Sequence, residues 1–301
     1  MNNAIQIVHR DDLNADKRSS RFGVNTAKMV RNFHKSFPQY VPTPLVHLKG
    51  LASALGVSDI YVKDESKRFD LNAFKVLGGS YCIGRYIAQR LGLPLDELSY
   101  QQLSSQAVRE VLKDLTVVTA TDGNHGRGIA WIAAQLGIKS VVYMPKGSAQ
   151  ERLNHIRALG AKAEITDWNY DDTVRFANKQ AAEQGWVLVQ DTAWEGYEEI
   201  PAWIMEGYTT LALEAVEQLG GVPPTHIFLQ AGVGAMAGAL AGFFVDYYGP
   251  DCPIITVVEP NQADCMFRTA QAADGRLHKV TGDLATIMAG LACGEPCRIG
   301  W

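Results

Sequence analysis

Four short stretches hold residue types that could do chemistry together. The first is Phe69–Ser80, FDLNAFKVLGGS, in which Lys75 stands among Phe74, Val76 and Leu77. An amine among apolar neighbours is costly to bury unless it is paired, neutral or covalently used. Read alone, its plainer account is a lysine whose stem lies along the surface and whose ammonium reaches water. The second is Val117–Gly126, VVTATDGNHG, where a strand ends at Ala120, the residues Thr121, Asp122, Gly123 and Asn124 turn, and a helix begins. Unpaired N–H groups at a helix start, beside the carboxyl end of a strand, favour an anion such as a carboxylate. Thr121 and Asn124 add donors, and Asp122 could act as a base. Plain helix capping explains the same residues about as well.

The third stretch, His226–Gly238 (HIFLQAGVGAMAG), runs a buried type of strand into Gly232, Gly234 and Gly238. Glycines there let backbone amides approach a phosphate beneath a helix N-terminus. It is no Walker loop, because no Gly-Lys-Ser/Thr follows. Its G-x-G-x-x-x-G spacing also departs from the dinucleotide fingerprint. The fourth is Gln190–Pro201, QDTAWEGYEEIP, in which Asp191 follows a strand and could meet a cationic substrate group. A turn aspartate is the plainer reading there. Taken together, a lysine amine, a phosphate cradle and a carboxylate-binding turn fit one cofactor, pyridoxal 5'-phosphate, with the lysine as Schiff-base partner.

The elements that must position these stretches alternate. Strands are predicted at Ile60–Lys63, Thr116–Ala120, Ser140–Met144, Lys162–Thr166, Trp186–Gln190, His226–Gln230 and Ile254–Glu259. Helices are predicted at Ala27–Phe37, Leu77–Leu91, Asn124–Leu136, Ala149–Leu159, Asp171–Gln184, Pro201–Leu219 and Met236–Tyr248. In Ala149–Leu159, Leu153, Ile156 and Leu159 recur on one face, as packing on a sheet requires. Strand–helix alternation argues for an α/β fold of parallel βαβ units. Gly92–Leu115 breaks the rhythm and reads as a polar, helical surface elaboration.

The 301 residues suit one large or two closely joined domains. A charged content of 20% and a formal net charge of −4 give no reason to expect nucleic acid or an anionic membrane. The N-terminus lacks a signal-peptide apolar core, and no apolar run is long enough to span a bilayer, so a cytoplasmic location is expected. The five cysteines, Cys82, Cys252, Cys265, Cys293 and Cys297, are too few and irregular for a disulfide scaffold. Cys293 and Cys297 have metal-like spacing, but nothing completes a ligand set, and no metal is expected.

In this order AFK, TATDGNHGRG and QAGVGAMAG resemble the fold-type II pyridoxal-phosphate enzymes. With RFDLNAFKVLGGSYC, QDTAWEGYEEIP and IMAGLACGEP added, nearly the whole chain resembles the diaminopropionate ammonia-lyase family. That resemblance implies a homodimer with two open α/β domains, the cofactor lying between them. Residues 1–78 and 196–301 would form the large domain and 79–195 the small one. It implies elimination of ammonia from both isomers of 2,3-diaminopropionate, giving pyruvate and two ammonia. Lys75 would be the Schiff-base lysine and the base for the L-isomer, and Asp122 the base for the D-isomer. Asn124 would contact the cofactor's ring oxygen, and the turn of Thr121, Asp122, Gly123, Asn124 and His125 the substrate carboxylate. Gly232, Val233, Gly234 and Ala235 would hold the phosphate, and Asp191 the substrate's β-ammonium. It also implies that family members continue past Trp301, with the hydroxyl residue beneath the pyridine nitrogen in that further part. The alternatives are a serine/threonine dehydratase type of β-eliminase and an inactive homologue serving as a binding subunit.

Overall fold

Alternating β-branched runs and helical periods give the expected α/β architecture in the computed structural model, which describes residues 5–10, 20–121 and 123–301. In chain order the elements are α1 (Val24–Lys35), β1 (Leu45–His47), α2 (Lys49–Leu55), β2 (Tyr61–Lys63), α3 (Lys75–Leu91), α4 (Tyr100–Leu103), α5 (Gln106–Leu112), β3 (Thr116–Ala120), α6 (Asn124–Leu136), β4 (Lys139–Met144), α7 (Gln150–Ala158), β5 (Lys162–Ile165), α8 (Tyr170–Gln184), β6 (Val187–Leu188), α9 (Glu199–Gln218), β7 (His226–Gln230), α10 (Ala235–Tyr248), β8 (Ile254–Val258) and α11 (Cys265–Ala272). Four parallel strands lie in the order β5-β4-β3-β6, and β7 pairs in parallel with β8. All five residues of β3 are buried, as a central strand covered on both faces requires.

Three local findings depart from the sequence expectation. First, β2 pairs antiparallel with β1, a strand too short and too near Pro44 to show a period. Second, β6 ends at Leu188 instead of Gln190. Val189 N still donates to the Val118 carbonyl at 2.8 Å, but the next rung is made by a side chain: Gln190 Oε1 accepts the Ala120 N–H at 2.9 Å. Third, Gly92–Leu115 is helical but not merely superficial. Leu98, Leu103, Leu112 and Leu115 are all buried, so α4 and α5 are fastened to the core.

The placement of Lys75 depends on how α3 meets α9. A Cβ on Gly207 of α9 would lie 2.5 Å from the Leu77 carbonyl oxygen, closer than any real Cβ contact. Glycine at that point lets the two helices approach until α3 starts beside the core. The Leu77 carbonyl also accepts the Nε2–H of buried His34 at 3.0 Å, while His34 Nδ1 faces Thr210 Oγ1 at 2.7 Å.

The segment leading into α3 is fixed by a buried charge network. Arg68 donates twice to Glu214, at 2.9 and 2.7 Å, and twice to Glu65, at 2.8 and 2.7 Å. Lys63 Nζ and Tyr40 Oη complete the Glu214 carboxylate at 2.7 Å each. Bidentate, charge-assisted pairs of this kind leave no buried charge unanswered. Phe69 then packs on Trp131, ring centroids 5.0 Å apart, in the aromatic part of the core.

Candidate active site

Five loops converge on one cavity of about 450 Å³. They follow β3 (Thr121, Asn124, His125), β4 (Pro145–Ala149, Arg152), β5 (Tyr170), β6 (Asp191) and β7 (Ala231–Met236). Ligands of parallel α/β sheets bind at this carboxyl edge, because helix N-termini and turn residues collect there. Lys75 enters from the first turn of α3, and residues 289–293 close one side. The structure thus brings together Lys75, Thr121, Asn124, His125, Asp191, Gly232, Val233, Gly234 and Ala235 from four distant parts of the chain. Gly123 stands behind this wall, its N–H donated to Thr121 Oγ1 at 2.9 Å. Asp122 lies outside the described residues.

At the centre, Lys75 Nζ donates to Asp191 Oδ2 at 2.5 Å. Asp191 is 4% exposed. Burial alone would push its carboxyl up, but the Lys75 ammonium, with His125 and the Lys75 hydrogen bond, outweighs it and holds the group at about 2. His125 Nε2–H donates to the Val189 carbonyl at 2.8 Å, which turns Nδ1 toward Asp191 Oδ2, 3.9 Å away. The result is a buried carboxylate kept ionised and already holding a primary ammonium.

Opposite, the chain leaves β7 through Gly232–Gly234 and enters the 14-residue helix α10. Gly234 has φ +89°, and a Cβ there would also lie 2.7 Å from Met266 Sδ of α11. Only glycine satisfies both constraints, and the turn so formed sets the first N–H groups of α10 beside the cavity that Gly234, Ala235 and Met236 line. Those groups have no carbonyl partner within the helix and carry its positive end, which suits a phosphate. The cavity is of ordinary cofactor size. An amine, an anion cradle and a donor-bearing turn around that volume fit pyridoxal phosphate.

Sequence reasoning missed Tyr170, the Pro145–Arg152 loop and residues 289–293, although the motif IMAGLACGEP was in view. The signal for the first two was available: each follows a parallel strand, as the recognised site residues do. Among the described residues no group of His, Cys, Asp and Glu could hold a metal, and no helix is long and apolar enough to cross a membrane.

This geometry defines a pyridoxal-phosphate site of fold type II, and the family described as pyridoxal-phosphate dependent enzymes matches residues 37–301. A diaminopropionate ammonia-lyase of Salmonella typhimurium is 56% identical over 280 residues, which are 92% of this chain and 69% of that protein. The crystal structure of diaminopropionate ammonia-lyase from Escherichia coli in complex with D-serine superposes with a TM-score of 0.88, at 52% identity over 95% of this chain and 70% of that one. The same enzyme in complex with an aminoacrylate-PLP azomethine reaction intermediate gives a TM-score of 0.86 over the same shares. The chain belongs to the diaminopropionate ammonia-lyase family. It spans about 70% of the length of these relatives.

Proposed function

We propose that this chain eliminates ammonia from both isomers of 2,3-diaminopropionate, taking up one water and giving pyruvate and two ammonia. The observation that carries this is the Lys75–Asp191 contact of 2.5 Å within the cavity beneath Gly232–Ala235. Pyridoxal phosphate, when bound, supplies an electron sink for the negative charge left at Cα. Lys75 would be its covalent anchor and would take the Cα proton of the L-isomer. Asp122 would take that of the D-isomer. Asn124 would meet the ring oxygen, Gly232, Val233, Gly234 and Ala235 would hold the phosphate, and the Thr121–His125 turn would hold the substrate carboxylate. Asp191 receives the β-ammonium and keeps it protonated, so that the C–N bond breaks to release neutral ammonia rather than an amide ion.

With this reading go a large domain of residues 1–78 and 196–301, a small domain of 79–195, a homodimer and a cytoplasmic location. The four-stranded sheet lying within residues 116–188 supports the small domain; the dimer rests on the family resemblance and the location on the sequence reading. Sedimentation velocity tests the dimer. The function is tested by the visible spectrum of the purified chain loaded with cofactor, followed by pyruvate release from diaminopropionate and from serine. Lys75→Ala abolishes the Schiff-base band; a band that persists, or faster turnover of serine, refutes the reading.

A further inference from the structure

Gln190 has a fully buried side chain whose four hydrogen-bonding positions are all used. Its Oε1 accepts from Ala120 N at 2.9 Å and from Thr119 Oγ1 at 3.0 Å. A backbone N–H can only donate, so the amide orientation is settled and Nε2 faces the other way. There it donates to Tyr170 Oη at 3.0 Å and to Asp191 Oδ1 at 3.3 Å. Because the Tyr170 oxygen takes that hydrogen, its own O–H is left to turn toward Asp191 Oδ1, 3.5 Å away at the cavity wall. The backbone of Gln190 is held as well, its N–H donated to Tyr197 Oη at 2.9 Å, and Tyr197 Oη donating to the Leu188 carbonyl at 2.9 Å.

We propose that Gln190 is a positioning residue for amine recognition: it fixes the rotamer of Asp191 and the donor direction of Tyr170, so that Oδ2, the oxygen that meets Lys75, is the one presented to an ammonium. Oδ1 is served by Gln190 and Tyr170, and Oδ2 faces Lys75. Without Gln190, Asp191 loses a donor to its charged form and Tyr170 loses the acceptor duty that orients it. Among the described residues, the charged and titratable groups that face Asp191 are Lys75 of α3, His125 of α6, Tyr170 of α8, Tyr197, Tyr208 of α9 and Cys297. Gln190 is the neutral group that sets which oxygen each donor meets. This inference rests on Asp191 as the β-ammonium site. It adds substrate selectivity to that reading: an amine-bearing β-carbon should depend on Gln190 far more than a hydroxyl-bearing one.

The test uses Gln190→Met, which keeps length and loses every side-chain hydrogen bond, and Tyr170→Phe, which keeps the ring. In the cofactor-loaded chain Gln190→Met lowers kcat/KM for diaminopropionate about tenfold, mainly through KM, and that for serine no more than about threefold. The acid limb of its pH profile moves to higher pH, and Tyr170→Phe moves both readouts the same way by less. Equal losses on the two substrates, or an unmoved acid limb, overturn the inference. A readout without turnover uses the cofactor-free chain. With aspartate labelled in its carboxyl carbons and the Asp191 signal assigned through Asp191→Asn, the Asp191 resonance titrates at higher pH in each variant than in the parent. Should Gln190→Met fail to fold, Tyr170→Phe decides, and an unchanged titration there overturns the inference. A parent chain that makes no pyruvate from diaminopropionate refutes the proposed function instead, and leaves the carboxyl titration to judge Gln190.

Discussion

Glu214→Gln takes one negative charge from between Arg68 and Lys63 while preserving the shape of the side chain. Burial pushes the Glu214 carboxyl up, but the Arg68 hydrogen bonds and charge and the Lys63 ammonium outweigh it and hold it at about 2, against 4.5 ordinarily. The folded value lies below the unfolded one. Its stabilisation is therefore complete well above pH 4.5 and is lost as pH falls toward 2. Each tenfold difference in proton affinity is worth about 1.4 kcal/mol, so the charge contributes about 3 kcal/mol at pH 7 and about 1.4 kcal/mol at pH 3. Breaking a buried pair by removing one partner costs about 3–5 kcal/mol, in agreement. Urea unfolding followed by tryptophan fluorescence at the two pH values measures the gap between variant and parent. A gap below about 1 kcal/mol at pH 7, or one that does not narrow at pH 3, refutes the reasoning. The effect should reach the active site too, because Arg68 anchors a segment in which Phe69, Asp70 and Asn72 have φ of +48°, +58° and +58°. Such backbone persists only where its surroundings over-determine it.

Two further outcomes are expected. Gly207→Ala places a methyl group 2.5 Å from the Leu77 carbonyl oxygen, and backbone cannot yield as a side chain does; stability falls by at least about 2 kcal/mol, read by thermal denaturation, and cofactor retention on a desalting column falls with it. Asp191→Asn keeps the shape but loses the charge, which costs about 2 kcal/mol, or about thirty-fold in kcat/KM for diaminopropionate. Steady-state assays should show serine losing only a few-fold, and an equal loss on both substrates counts against Asp191 as the amine site.

Much of this molecule was legible because its signals are local. Lys75 is the one amine in an apolar run, which alone reads as a surface lysine and gains its weight from the other three stretches, and Gly232-Val233-Gly234 reads as a turn between a strand and a helix. The long helices follow from apolar spacing, so α6, α8, α9 and α10 fall within a few residues of expectation. What stayed hidden is long-range pairing of charge. Arg68 and Glu214 are 146 positions apart, and each reads as a surface residue until the partner is known. Gln190 was hidden for a related reason: nothing local tells that its side chain, and not its backbone, will close the rung to Ala120. Tyr170 was overlooked at a strand-to-helix junction that the same rule could have flagged.

The grip of α9 on the lysine has a mechanical side. Glu214 holds the chain through Arg68, seven residues before Lys75, and Gly207 seats it through Leu77, two residues after. Both anchor points lie on one helix, seven residues or about 10 Å apart along its axis. The amine is therefore slung between two fixings on a single rigid beam, much as a bridge deck hangs from one girder. A tilt of that beam carries both fixings together, so the lysine keeps its aim even where neighbouring loops shift. Substitutions that bend α9 between Gly207 and Glu214 should misdirect the amine without touching any residue of the cavity.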